Sequence, residues 1–487
     1  MAAPAPTRDR WLGPLLLRLH FYAAILVAPF ILISAASGAL YALTPQLEQV
    51  VYSDELTAPS DGSPLPLAEQ VAAAQEHVGE AAVVTAIRPA AEAGQTTRVM
   101  YADDSLGEGE SRAIMLDAAT AEIRGDLTVY GTSGSLPLRT WVDQLHRNLH
   151  LGEVGRLYSE LSASWLGVVA AAGLGLWVRR ARSARRARDV LLPDLRARGY
   201  RRTLSLHSSV GAWVLLGALF LSATGITWSR YGGGNIGMIR EAFGFTTAAV
   251  STELPQSSTA DTDMDDMDGM EDMEGMEGGE HSGHGAPQGA AAHHGADGTD
   301  GAAAADLGEI DRVLDAGRAA NIDTGLVEIR PPGDESSAWV VEEIQRSYPT
   351  KVDAVAIDGG TLEVVDRTDF AEADLAAKLT RWGIDLHMGT MFGLVNQIIL
   401  FVIASALVVM IIWGYLMWSQ RRPTRGGRGP AKPPRRGALG RAPWWGTALV
   451  LLVAVGIGLM LPLMGVSLAA FVLVDAIAGR VRRRRLG

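Results

Sequence analysis

Long apolar runs separated by polar stretches dominate the pattern of this 487-residue chain. The runs cover residues 11–44, 161–178, 204–229, 390–418 and 444–478. A helix needs about 20 apolar residues to cross a bilayer core, so the first four runs each predict one span. The fifth run is too long for one span and carries Leu461-Pro462 at its middle, which predicts two short spans joined by a tight turn. The pattern as a whole predicts six membrane-spanning helices.

Positive charge sets the predicted orientation of these helices. Residues 179–202 hold ten arginines against two aspartates, and residues 421–441 hold eight basic residues and no acid. The C-terminal tail, RVRRRRLG, is also strongly basic. Because cytoplasmic loops concentrate Lys and Arg, both loops and both termini are predicted to be cytoplasmic. The long segments 45–145 and 230–385 are then external.

Each external segment contains a helical pattern followed by alternating apolar and polar residues, at 64–130 and at 305–370. Alternation with period two is typical of half-buried strands, so each is predicted to be a small α+β module, with a hairpin turn at Asp358-Gly359-Gly360 in the second. The predicted fold is a multi-pass α-helical membrane protein with a four-helix core from a tandem repeat, a C-terminal helical hairpin and two external α+β modules. The predicted boundaries are helix 1 at 11–44, module 1 at 45–145, helix 2 with an external extension at 146–178, a basic loop at 179–203, helix 3 at 204–229, a low-complexity linker at 251–304, module 2 at 305–370, helix 4 at 387–418, a second basic loop at 419–442 and the hairpin at 443–479.

Composition excludes several kinds of chemistry. The chain has no cysteine, which excludes disulfides, thiolate-held iron–sulfur clusters and haem attached through Cys-x-x-Cys-His. The net charge of −11 is carried mostly by the external segments and does not indicate nucleic-acid binding. The first apolar run is far longer than the roughly 7–15 residues of a signal-peptide core, so an uncleaved first helix is expected.

Histidines recur at matching positions of an internal repeat. His20 and His207 are each followed, 17 positions later, by Ser37-Gly38 and Thr224-Gly225. A second offset, of 241 positions, carries Trp141, His146, Gly152, Trp177 and Arg180 onto Trp382, His387, Gly393, Trp418 and Arg421. Ionisable side chains in apolar segments are costly and usually functional, so these four histidines are the predicted chemical centre.

Two imidazoles on facing helices, with small residues beside them, are the arrangement that holds a haem through both axial positions. His20 and His207 are predicted to form an inner pair near the cytoplasmic side. His146 and His387 are predicted to form an outer pair near the external side. A single histidine at a helix end is more often an interfacial hydrogen-bonding residue, but four that follow a repeat favour two haem b groups.

The outer ligand has an alternative, because His150 lies one turn beyond His146 and Met391 is its counterpart in the repeat. A continuous helix from His146 to Val178 would be about 48 Å long and would hold the two pairs far apart. Ligation by His150 would shorten that distance by about 6 Å.

The linker at 251–304 carries a separate set of metal-binding side chains. Five methionines recur there at every third position, and four histidines follow. These residues are Met264, Met267, Met270, Met273, Met276, His281, His284, His293 and His294. Thioethers suit Cu(I) and imidazoles suit Cu(II), so the stretch predicts copper capture, with an acidic disordered linker as the alternative.

Leu-His dipeptides near the start of helices 1 and 3 are followed by Ser-Gly or Thr-Gly, and LHRNLHLGEVGR and LHMGTMFGLVNQ precede helices 2 and 4. With the two modules and the C-terminal LPLMGVSLAAFVLVD, this pattern resembles the PepSY-associated transmembrane family over about residues 12–420. The resemblance implies external PepSY-like modules and a haem-containing ferric-siderophore reductase of a bacterial inner membrane. It implies haem ligands at His20, His207, His146 or His150, and His387. Ala24, where the family pattern usually has glycine, and the Met/His linker depart from that pattern.

Three functional hypotheses follow. The first is a metal reductase that passes electrons through two haems to an external metal complex, a ferric siderophore or copper. The cytoplasmic loops contain no G-x-G-x-x-G motif, so membrane quinol or a cytoplasmic reductase is the expected donor. The second is a copper-binding or copper-sensing membrane protein that uses the linker. The third is a regulator whose external modules bind a peptide or a protease.

Overall fold

The computed structural model describes residues 11–60, 62–245, 249–254, 306–421, 434 and 436–486. The described residues form two compact units. The helical unit lies within Met1–Val51, Ser135–Thr246 and Leu375–Gly487, and the sheet unit lies within Tyr52–Gly134 and Thr247–Asp374.

Apolar helices make up most of the helical unit. The helices of the described chain are α1 (Leu12–Tyr41), α2 (Thr44–Val51), α3 (Ser53–Leu56), α4 (Leu67–Val78), α5 (Pro137–Asn148), α6 (Gly152–Ser183), α7 (Arg188–Leu191), α8 (Gly199–Thr227), α9 (Tyr231–Ala242), α10 (Ile310–Ala320), α11 (Leu375–Met388), α12 (Gly393–Gln420), α13 (Trp444–Met460) and α14 (Pro462–Leu486). Within the described residues, five of them are long and apolar enough to cross a membrane, namely α1, α6, α8, α12 and α14 up to Val481.

The C-terminal hairpin forms where the sequence predicts it. Helix α13 ends at Met460 and α14 begins at Pro462. A Cβ added at Gly465 would lie 2.8 Å from the Cα of Gly458, so glycine at these positions lets the two helices approach closely. Helix α13 has 17 residues, a length of about 25 Å, and its role as a sixth span stays a prediction.

Four helices form the core of the helical unit. Helices α1 and α8 each pack against both α6 and α12, so α1 and α8 occupy opposite corners of a four-helix arrangement. Apolar side chains fill its centre, among them Ala35, Val214, Ala218 and Leu407. Trp165 of α6 packs against Met464 and donates its indole N–H to Ser467 at 2.9 Å, which fixes α14 against this core.

Two helices that the sequence predicts as continuous are divided in the structure. The predicted helix at 146–178 is replaced by α5 and α6, and the residues preceding helix 4 form the separate helix α11. Leu149, His150 and Gly152 have φ of 55°, and Gly393 has φ of 53°. Left-handed backbone of this kind ends a right-handed helix. Helix α5 packs back against α1 and α6, so the continuous 48 Å helix expected from His146 is wrong.

Two polar contacts connect further elements of the helical unit. The carboxylate of Glu160, fully buried on α6, accepts the backbone N–H groups of Tyr231 and Gly232 at 2.9 and 3.1 Å. It therefore caps the start of α9, where a negative charge is favoured. Arg18 of α1 pairs with Asp475 of α14 at 2.5 Å.

The sheet unit contains eight antiparallel strands in the order β4-β3-β2-β1-β5-β6-β7-β8. The strands are β1 (Val84–Arg88), β2 (Thr96–Tyr101), β3 (Glu110–Asp117), β4 (Ile123–Tyr130), β5 (Val327–Arg330), β6 (Trp339–Glu343), β7 (Ala354–Ile357) and β8 (Val364–Thr368). Helix α4 precedes the first four strands and α10 precedes the last four, which is the helix-then-strands order predicted for each module. Both helices pack on the sheet over buried residues that include Ile87, Val99, Ile329 and Val341.

The two modules share this single sheet, a feature that the sequence does not predict. Strands β1 and β5 pair through Ile87 and Ile329. Arg88 of β1 and Glu328 of β5 form an ion pair at 2.6 Å, and both side chains are largely buried. Asp311 of α10 accepts the backbone N–H groups at the start of α4. Each module therefore stabilises the other.

Candidate functional site

The inner histidines, His20 on α1 and His207 on α8, face each other across the four-helix core. Their ring centroids are 6.2 Å apart and the ring planes are 79° from parallel. Nδ1 of His20 lies 2.9 Å from the carbonyl oxygen of Val169, and Nδ1 of His207 lies 3.1 Å from that of Met410. A carbonyl oxygen can only accept, so both Nδ1 atoms carry the proton and both Nε2 atoms keep a lone pair in the neutral ring.

The same repeat that places the inner histidines also places their partners. Val169 on α6 and Met410 on α12 are related by the 241-position offset. Each hydrogen bond joins a histidine to the second core helix of its own copy, and the two rings meet between copies. Gly173, one turn beyond Val169, makes room for the His20 ring: an added Cβ would lie 3.2 Å from its Cε1.

The outer histidines, His146 and His387, reach the core from α5 and α11. Nδ1 of His146 lies 3.1 Å from the hydroxyl of Ser37, and Nδ1 of His387 lies 2.5 Å from the hydroxyl of Thr224. With the breaks before α6 and α12, these histidines reach the ends of α1 and α8.

His150 is placed differently. It stands in the break itself, with φ of 55° and an exposed ring that lies 5.1 Å from the ring of Trp141. Its repeat counterpart, Met391, is buried. Of the two outer alternatives, His146 contacts Ser37 at the end of α1, whereas His150 is exposed.

Arginines near the two pairs have distinct surroundings. Arg18, which lies two residues before His20, is engaged by Asp475 and by the carbonyl of Pro434. On α5, two turns before His146, Arg139 donates from Nε to the hydroxyl of Tyr41 at 3.1 Å, and its buried Nη2 has no hydrogen-bond partner among the described residues. An unsatisfied buried guanidinium nitrogen favours a nearby anionic group.

The methionines and histidines of the linker lie outside the described residues. They are Met264, Met267, Met270, Met273, Met276, His281, His284, His293 and His294. Copper capture by this stretch therefore stays a prediction. Within the described residues, no group of three or more His, Asp or Glu side chains is arranged to hold a metal ion.

The family described as PepSY-associated TM region matches residues 17–421, which is most of the chain and includes all four histidines. The chain belongs to this family. The resemblance proposed from the sequence is thereby confirmed, and with the five apolar helices the family supports a multi-pass membrane protein. No curated protein matches the chain.

Within this PepSY-associated TM region, sequence reasoning found the histidines but missed their partners. The acceptors at Val169 and Met410 are backbone oxygens. Every residue type has a backbone oxygen, so the sequence cannot indicate which one is used. Ser37 and Thr224 did leave a signal, the repeated Ser/Thr-Gly pair. Arg139 has no equivalent in the second copy, where Thr380 occupies its position, so the repeat could not reveal it.

Proposed function

We propose that this protein is a dihaem protein of a bacterial inner membrane that carries electrons across the membrane and reduces an external metal complex. The main support is the pairing of repeat-related histidines: the inner rings face each other, and every one of the four has Nδ1 occupied by a hydrogen-bond partner. Metal-bound histidines almost always donate the other ring N–H in this way.

The residues present fit a haem better than a bare ion. Two imidazoles are too few for a structural metal site, which usually takes four protein ligands. A haem needs only two ligands from the protein, and each pair of histidines would supply two. His20 and His207, whose ring centroids are 6.2 Å apart, would hold one haem between them. Haem b, when bound, would supply a one-electron Fe(III)/Fe(II) couple.

The protein's own residues have separate tasks in this proposal. His20 and His207 would hold the inner haem, and His146 and His387 would hold the outer haem. Arg139 supplies a buried positive charge near the outer position, where a haem propionate is a suitable partner. Seventeen residues of α1 separate His20 from Ser37, a rise of about 26 Å. The division of the predicted long helix thus brings the two levels much closer together than a continuous helix would.

The distribution of positive charge gives the orientation of the protein in this proposal. The arginine-rich loops after α6 and α12 are cytoplasmic by the positive-inside rule, which places the inner pair near the cytoplasm and the outer pair near the outside. The donor is membrane quinol or a cytoplasmic reductase. The acceptor is a ferric siderophore, with an external copper complex as the alternative, and each reduced metal ion gains one electron.

A reduced-minus-oxidised absorbance spectrum of the purified protein, with a haem-to-protein ratio, tests this function. The expected ratio is two for the wild type and one after His207→Ala or His387→Ala. The matched control is His150→Ala, which is expected to keep both haems because His150 is exposed. A wild-type protein without haem absorbance would contradict the proposal.

A second function is favoured by one specific observation, the five methionines at every third position of the linker. We propose copper binding there as the alternative role, either as capture of the substrate or as sensing. Loss of copper tolerance on deletion of the linker, with haem content unchanged, would favour this role over reduction of a ferric siderophore.

A further inference from the structure

We infer that Ser37 and Thr224 are positioning residues that hold the outer histidines in the tautomer with a free Nε2. This inference deepens the proposed function and rests on it, since Nε2 is the atom that binds iron. The sequence marks both residues, because each stands 17 positions after an inner histidine and directly before a glycine.

The hydrogen-bond geometry sets the direction of each contact. The Ser37 hydroxyl lies 2.8 Å from the carbonyl oxygen of Ile33, one turn earlier on α1, and donates to it. The Thr224 hydroxyl lies 2.7 Å from the carbonyl oxygen of Phe220 and donates there. With its single proton used, each hydroxyl oxygen is left to accept from a histidine Nδ1–H. If the hydroxyl donated to Nδ1 instead, the proton of the neutral ring would sit on Nε2 and block a metal bond.

The glycine that follows each hydroxyl-bearing residue also lies next to the ring of the outer histidine. A Cβ added at Gly38 would lie 3.2 Å from Cε1 of His146, and one added at Gly225 would lie 4.0 Å from Cε1 of His387. The Ser/Thr-Gly pair therefore receives one edge of the imidazole ring, with the hydroxyl bonded to Nδ1 and the glycine next to Cε1. This arrangement is built twice, once in each copy.

The two pairs differ in how their tautomers are held. The inner histidines donate to backbone carbonyls, which no substitution at Val169 or Met410 removes. The outer histidines contact hydroxyls, which a substitution does remove. His146 has the backbone of Ser34 as a further partner, so Thr224→Val is the sharper of the two variants. A hydrogen bond accepted from Nδ1–H makes the imidazole a stronger donor to iron and favours Fe(III). Loss of either hydroxyl is therefore expected to raise the potential of the outer haem and leave the inner one unchanged.

The test compares Ser37→Ala and Thr224→Val with the wild type by redox titration of the haem absorbance, using His387→Ala to identify the outer haem. Affinity for the outer haem, measured by transfer to a competing haem-binding protein, is expected to fall by about 10- to 100-fold, and its potential to rise. Thr224→Ser keeps a hydroxyl and should restore both values. Ser162→Ala is the matched control, because Ser162 is buried on α6 and its hydroxyl likewise donates one turn back, to the carbonyl of Tyr158.

The possible results are distinguishable. Two haems with unchanged outer potential and affinity in Ser37→Ala and Thr224→Val would overturn this inference and leave the proposed function intact. Equal losses in Ser162→Ala would also overturn it, since the effect would then be general damage to the helices. If one of the two variants does not fold, the other still decides. A wild type without haem would contradict the proposed function itself.

Discussion

Gly173 and Gly414 occupy the same position in the two copies but have different neighbours, which makes them a matched pair for substitution. A Cβ at Gly173 would lie 3.2 Å from Cε1 and 3.5 Å from Nδ1 of His20, so the ring must move by a few tenths of an ångström. A Cβ at Gly414 would meet no atom within 4 Å. The His20 ring has little freedom to move, because it is hydrogen-bonded to the carbonyl oxygen of Val169 on one side and faces His207 on the other.

Two opposing contributions to the free energy of unfolding set the difference in stability between the two variants. Alanine is favoured over glycine in a helix interior by about 1 kcal/mol, and this term acts equally at both sites. Overpacking costs about 1–3 kcal/mol and acts only at Gly173. The helix term cancels between the two variants, so Gly173→Ala is expected to be less stable than Gly414→Ala by about 1–3 kcal/mol.

Thermal unfolding of both variants in the same detergent measures this difference, and the redox titration reports on the inner haem. Gly414→Ala should match or exceed the wild type in stability and keep both haem potentials. Gly173→Ala should be the less stable variant and should alter the inner haem alone. Equal behaviour of the two variants, or an unchanged inner haem in Gly173→Ala, would refute the close approach of His20 to α6.

Three further outcomes are expected. Glu160→Gln weakens the cap of α9 and should lower the free energy of unfolding by about 1–3 kcal/mol, as measured by chemical denaturation in detergent; an unchanged value would argue against the cap. Asp475→Asn removes the charge that pairs with Arg18 and should lower stability by about 1 kcal/mol in the same assay, since Asp475 is partly exposed; an effect that grows with salt would contradict an ion pair. Deletion of residues 261–296 should abolish copper binding, measured by metal analysis after equilibrium dialysis, without changing haem content; retained copper would place the metal elsewhere.

Much of the helical unit could be predicted, because long apolar runs and the charge of the segments between them leave few alternatives for a membrane-spanning helix. The hairpin at Leu461-Pro462 and the repeated histidines also carried clear signals in residue type. The breaks before α6 and α12 carried no clear signal in residue type. Leu149 and His150 adopt positive φ, which neither residue type suggests. Gly152 and Gly393 were the available signs, and each is compatible with a helix start as well as with a break.

Contacts between residues that are far apart in the chain could not be predicted from the local sequence pattern. Strands β1 and β5 pair through Ile87 and Ile329, which are far apart in the chain, and nothing in either strand specifies the partner. The same holds for the acceptors of the inner histidines, which are backbone oxygens on other helices. The side chains of the candidate site are evident in the sequence, whereas the hydrogen bonds that orient these side chains depend on the three-dimensional fold.

The His20–His207 contact has a consequence for the origin of the protein. One imidazole comes from each copy, so a half-length chain would offer a single ring at that level and would complete the pair only by associating with a second half-length chain. Two copies within one chain therefore make intramolecular a contact that two half-length chains could form only as a dimer. Once the two halves are covalently joined, each is free to diverge. Such divergence is seen where Arg139 and His150 stand in one copy and Thr380 and Met391 stand in the other.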